Sequence, residues 1–217
     1  MSKWRPSQKL LEKLKMVREL SAEELDRLSD SLGIDEVHPL TGETALHAAV
    51  RAESKKELAE SLKEIDRLIR LGANLNVVDE VDLTPLMCAC SWGGVAGMRI
   101  AIKLIKAGAD VNYVRSDDEM TALGFAASDS RPEVVQALLE HGAEVEGPPG
   151  TEQTPLMLAA RENNVEAIKL LIAAGADVNR PCGLPWAVGR TTLWLAEQEG
   201  AKRAAAYLRK VHQGGST

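Results

Sequence analysis

Apolar residues recur along this chain at helical spacing, in segments too short to bury themselves. "VEAIKLLIA" places Val165, Ile168, Leu171 and Ile172 on one stripe, as a helix packed on a neighbour requires. Near the start, "SQKLLEKLKMVREL" gathers Leu10, Leu14 and Val17 on one face with Leu11. "SAEELDRLSDSLG" opens on a capping box, Ser21 with Glu24, and stops at Gly33. At the far end, "AKRAAAYLRKVH" turns its Lys and Arg residues outward. The pattern predicts a chain of short helices with an extra helical pair at the front.

The helices come in phase. "LIRLGANLN", "LIKAGADVN", "LLEHGAEVE" and "LLIAAGADVN" share a Gly-Ala pair beginning at 72, 108, 142 and 175, with steps of 36, 34 and 33. "GETALHAAV", "DLTPLMCAC", "EMTALGFAA", "EQTPLMLAA" and "GRTTLWLAE" also match one another, with threonines at 44, 84, 121, 154 and 191. Thr then Pro suits a helix start, a hydroxyl cap followed by a residue with no N–H to satisfy. Alanines at 48, 49, 126, 127, 159 and 160 allow close helix packing. Glycine then ends each second helix in the left-handed conformation.

This double signature resembles the ankyrin repeat, whose pattern is a turn, T-P-L-H-x-A-A, two helices and G-A-x-V-N. The likeness covers about residues 35–210. It implies an all-α solenoid with β-turn fingers and about five repeats, behind an N-terminal helical cap. The expected layout is a cap over 1–34, repeats one to four over 35–179, a C-terminal capping repeat over 180–212 and a flexible tail over 213–217.

Departures from the repeat carry the individuality. Thr44 to Gly72 spans 28 residues where Thr154 to Gly175 spans 21, and the excess in "RAESKKELAESLKEIDRLIR" predicts a longer helix or a helical loop. "SWGGVAG", over 91–97, predicts a loop because three glycines weaken a helix. The last turn is lengthened by "RPCGLPWAVG", with Trp186. Asp82, Glu119 and Glu152 stand where Gly42 and Gly189 stand in the other turns. His47 alone keeps the repeat's histidine and is expected to be structural, bonding neighbouring backbone. Met87, Gly124, Met157 and Trp194 replace it elsewhere.

"GPPGTEQTPL" (147–156) begins like a phosphate loop, but Glu152 and Gln153 occupy the places of the second glycine and the lysine. A carboxylate there repels phosphate, so the segment reads as a turn. No G-x-S-x-G or H-E-x-x-H motif is present, and Asp117 and Asp118 read as a solvated turn. Cys88, Cys90 and Cys182 read as buried thiols in a reducing compartment, without metal-ligand spacing. The expectation is a non-enzyme with no catalytic residue, cofactor or metal.

Charge is segregated. Residues 21–199 hold 16 bases and 30 acids, a net −14, and the two basic ends return the chain to −6. Such a centre repels nucleic acid and attracts basic proteins. Aromatics at 3 % also disfavour base stacking. No apolar run of about 18 residues spans a membrane, and the first twenty residues lack a signal-peptide core. The reading is a cytoplasmic monomer that binds a basic protein in an acidic concave groove, as an inhibitor or a toxin's immunity protein. A scaffold or host-directed effector joining two proteins is the other reading. By resemblance the contact residues are Glu43, Arg51, Glu80, Leu83, Ser91, Trp92, Met120, Asp129, Gln153, Arg161, Glu162 and Arg190, with Trp186 added on its long turn.

Overall fold

The computed structural model describes residues 33–37, 41–50, 55–91, 94–129 and 131–214. Among them there are only helices and turns, with no strand. The chain divides into two units, Met1–Asp110 and Val111–Thr217. The proposed cap over 1–34 lies outside the described residues except for its last two.

In the first unit, α1 (Ala45–Val50) pairs with α2 (Lys55–Arg70), and α3 (Pro85–Ser91) with α4 (Gly94–Lys106). Leu46, Ile65, Leu68, Leu86, Ile100 and Leu104 close the space between the pairs. The second unit holds α5 (Ala122–Ser128), α6 (Pro132–Glu140), α7 (Pro155–Arg161), α8 (Val165–Ala173), α9 (Thr192–Gln198) and α10 (Lys202–Gly214). Here α7 packs between α5 and α9, and α8 between α6 and α10. Leu123, Val135, Leu138, Leu156, Ile168, Leu171, Leu195 and Leu208 form its core.

The local chemistry explains why helices begin and end here. The hydroxyls of Thr44, Thr84, Thr121, Thr154 and Thr191 each accept the backbone N–H three residues on, at 3.4, 3.2, 3.1, 3.2 and 3.4 Å. Each bond satisfies a donor that the first turn of a helix leaves free. At the other end, Gly72, Gly108, Gly142 and Gly175 have φ of 76, 91, 85 and 98°. The alanine after each donates to a carbonyl five residues back, at 3.0 or 3.1 Å. The glycine itself donates three residues back, at 3.0 or 3.1 Å, completing a Schellman cap.

A polar ladder then fixes the register of successive turns within each unit. Asn74 N–H donates to Asp35 Oδ1 at 2.9 Å, and Asp110 N–H to Asn76 Oδ1 at 2.9 Å. In the second unit Glu144 N–H donates to Asn112 Oδ1 at 2.8 Å and Asp177 N–H to Glu146 Oε1 at 2.7 Å. Burial pushes the Asp35 carboxyl above its ordinary value, and the bond from Asn74 only partly opposes this.

The seven extra residues of the first repeat become helix. α2 has 16 residues where α8 has 9, two further turns. The loop expected over 91–97 is corrected: α4 already starts at Gly94, and Gly97 is buried within it. Burial of Ile100, Ala101, Leu104 and Ile105 along one stripe outweighs the poor propensity of glycine. The tail expected from residue 213 is also shortened, because α10 runs to Gly214.

Candidate functional site

Every turn ahead of a capping threonine must reverse the chain, and the five do so differently. Gly42 and Gly189 take left-handed φ of 62 and 73°, and Asp82 and Glu119 take 59 and 56° without being glycine. That conformation costs a side-chain-bearing residue about 1 kcal/mol. Glu152 does not share it, because Gly150 takes the left-handed position two residues earlier, at 90°. "GPPG" is accordingly a turn, closed by Gly147 N–H to Glu144 O and Thr151 N–H to Pro148 O, both 3.1 Å.

In the first unit the turns are bound up with one another. Thr44 N–H donates to His47 Nδ1 at 3.2 Å, so that nitrogen is the acceptor and Nε2 carries the proton. Nε2 then donates to Leu83 O at 3.0 Å, clasping the next turn. Asp79 Oδ1 accepts Val81 N–H at 3.1 Å and Leu83 N–H at 2.9 Å. The ligand-type atoms of His47, Asp79 and Cys88, all buried, lie within 4.8 Å of one another. Spacing in the sequence does not foretell this grouping, which stacking creates. Both ring nitrogens of His47 are engaged by the protein, so the group reads as a hydrogen-bonded core network. Cys88, Cys90 and Cys182 are buried and form no disulfide.

The second unit instead presents an open cleft of about 560 Å³ across three successive turns. Ser116, Asp117, Asp118, Glu119 and Met120 come from the turn before α5. Gly150, Glu152 and Gln153 precede α7, and Leu184 precedes α9. Arg115 pairs with Asp117 at 3.6 Å and Asp118 at 3.3 Å. Among the described residues no cation pairs with Glu119 or Glu152, so only two of the four lining carboxylates are paired. The Gln153 amide nitrogen in the wall is shielded from solvent and has no acceptor among the described residues. A buried donor left in that state costs about 1–3 kcal/mol.

Leu184 leads into the long turn. Cys182 N–H donates to Arg190 O at 2.8 Å and Gly189 N–H to Cys182 O at 2.9 Å, closing the loop at its base. Gly183 N–H donates to Glu152 O at 2.9 Å. The contact is so close that a Cβ on Gly183 would lie 2.9 Å from Glu152 Cα. Cys182 and Ala187 pack with Met157 and Leu195, and Leu184 and Trp194 lean on that cluster. Trp186 is left 55 % exposed on this support. Its ring lies 6.2 Å from that of Trp194, with Arg161 over Trp186 at 5.6 Å and Arg190 over Trp194 at 5.2 Å. Arg161 is held in place by Glu199 at 3.0 Å.

Of the residues expected to touch a partner, Met120 and Gln153 line the cleft, Arg161 stacks on Trp186, and Arg190 lies over Trp194. Glu80 and Ser91 are exposed on the first unit, and Leu83 is half-buried. Glu162 is exposed at the end of α7. Asp129 is engaged by Arg131. Glu43 is corrected: it is only 5 % exposed and offers no carboxylate to a partner. Its turn is pressed onto the next, with Glu80 N–H donating to Thr41 O at 2.9 Å. Arg51 and Trp92 lie outside the described residues. The carboxylates at 117–119 and Glu152 were absent from that set, although the acid-for-glycine exchanges at 119 and 152 marked two of them.

The family model for ankyrin repeats (three copies) matches residues 57–149, 95–182 and 147–215. No curated protein matches the chain. Among the described residues no helix is long and apolar enough to cross a membrane.

Proposed function

The chain belongs to the ankyrin repeat family, a family of protein-interaction modules, and from that premise we propose that it binds a basic protein. The observation that carries this reading is the cleft of the second unit, lined by four carboxylates of which two pair with Arg115 and two, Glu119 and Glu152, pair with no cation among the described residues. Acidic surfaces of this kind steer cationic partners and set their orientation. Exposed tryptophan flanked by polar groups is the residue type that most often dominates binding energy.

In this reading the chain acts as an inhibitor, of the immunity-protein kind, by covering a basic functional surface on its partner. It works as a monomer in the cytoplasm; three buried cysteines without a disulfide suit a reducing compartment. Affinity capture from the native cell, followed by titration of the captured partner at about 0.05 to about 0.5 M salt, tests the electrostatic part. The expected result is a steep loss of affinity with salt and loss of the partner's own activity at one equivalent of this chain. Salt-independent binding, or a partner that stays fully active when saturated, contradicts it.

A further inference from the structure

α10 is the last helix of the second unit, and its two sides carry opposite chemistry. Ala204, Ala205 and Leu208 are buried, and the helix packs on α7, α8 and α9. Lys202, Arg203, Ala206, Arg209 and Lys210 are exposed. At about 100° per residue they share one stripe about 120° wide. The helix contains no acidic residue. Arg209 pairs with Glu197 of α9 at 2.6 Å, and Glu166 of α8 is engaged by Lys169 at 2.8 Å. The acids of the helices behind α10 are therefore taken. Among the described residues Lys202, Arg203 and Lys210 pair with no carboxylate.

Two features set this stripe apart from an ordinary solvated face. Lys202 and Arg203 stand in the first turn, where the helix dipole and the free N–H groups already present positive charge. The chain is net −6, while residues 200–217 hold four Lys/Arg and no acid, +4. The stripe thus reduces the net charge that favours solubility instead of adding to it. It works against helix stability and solubility alike, and an anionic partner relieves both. The cations form two pairs, 202–203 and 209–210, seven residues or about 10 Å apart along the axis, with only Ala206 exposed between them.

We propose that this face docks an acidic α-helix of a second protein. A helix laid along α10 returns to the same face every seven residues, so two acidic pairs one heptad apart meet the two basic pairs. A small or apolar residue midway rests on Ala206, whose single methyl group lets the helix axes approach to about 8 Å. A nucleic-acid backbone fits less well, because it is charged along its whole length and runs off this short stripe onto an acidic molecule. A membrane surface calls for bulky apolar residues beside the cations, and Ala206 is the one apolar side chain exposed on the stripe. None of these residues lines the acidic cleft, so the inference does not rest on the basic-partner reading.

The test uses the full chain and a defined probe, an acetylated, amidated alanine-based helix of about 18 residues. It carries two glutamate pairs seven residues apart with leucine midway, and a control of the same composition spaces the pairs by five, on different faces. Heteronuclear NMR titration at about 0.02 M salt is expected to show saturable binding with shift changes along 202–213, and about tenfold weaker binding of the control. Lys202→Gln with Arg203→Gln weakens binding about fivefold, and Lys210→Gln about threefold. Ala206→Lys adds a cation yet fills the gap, and is expected to weaken binding about fivefold, where simple charge attraction predicts tightening. All four positions are exposed, and each variant is checked for wild-type helicity. Absence of binding overturns the inference, as do equal binding of the control and tighter binding by Ala206→Lys. A duplex oligonucleotide or an anionic phospholipid vesicle that binds through these cations more tightly than the acidic helix also overturns it. These substitutions leave the cleft residues untouched, so failure here does not bear on the basic-partner reading.

Discussion

His47 and Trp194 occupy the same position, third after a capping threonine, at the first and last of the five T-capped helices. They are used in opposite ways. His47 is fully buried, and both ring nitrogens bond backbone or cap groups, one of them reaching across to Leu83 O. Trp194 is half-buried and supports an exposed ring, Trp186, from beneath. At the first of these helices, with the next T-capped helix packed against it, the position fixes register. At the last such helix it is released from that duty and carries a surface. The turns follow the same division: 79–83 is filled by its own Asp79, whereas 180–190 has spare chain to display.

That contrast can be broken most severely at His47. His47→Ala removes the clasp on Leu83 O, leaves the Thr44 N–H without its acceptor and opens a cavity. The expected loss is about 3 kcal/mol of unfolding free energy, read by denaturant titration. Binding of the proposed basic partner at the second unit should be unchanged at temperatures where the variant is folded.

Trp194→Ala inverts the pattern. A half-buried ring with a cation over it is worth about 2 kcal/mol of stability. Binding of the proposed basic partner should suffer more than stability, because Trp186 loses its support. A variant that loses stability but binds normally would show that Trp194 is only core.

The turn comparison is sharpened by Glu119→Gly. Glu119 has φ of 56°, a conformation natural to glycine. The exchange should raise stability by about 1 kcal/mol while weakening binding of the proposed basic partner. A rise in stability with no effect on binding would separate the turn from the site.

The smallest expected effect is pH-dependent. Asp35 has its carboxyl raised by burial, so its charged form is disfavoured in the native state. A raised acid contributes stability below its unfolded value of 3.8, and that contribution is lost as pH rises through the folded value. Asn76 and Asn112 fill the equivalent rung with a neutral acceptor. Asp35→Asn should therefore raise the melting temperature at neutral pH, with the difference vanishing below about pH 4. An equal shift at both pH values contradicts the linkage.

Much of the scaffold was legible because its signals are local. A threonine hydroxyl caps the helix that follows it, and a glycine ends the one before it, whatever packs around them. The surplus between Thr44 and Gly72 translated directly into α2. The glycines at 93, 94 and 97 misled because tertiary burial along α4 is invisible to propensity. Glu43 misled for a similar reason: nothing beside it in sequence reports that its turn is covered by the next. The cleft was least legible. Its residues come from three turns about 30 residues apart, and only packing of α5, α7 and α9 brings Glu119, Glu152 and Leu184 to one surface.

The most direct measurement is a heteronuclear NMR titration of the intact chain with the captured basic partner. Expected are shift changes at the Trp186 indole and the backbone of 117–119, 152 and 184 together, with the first unit's 79–83 turn silent. Shifts spread evenly over acidic surface, or confined to the first unit, would contradict it.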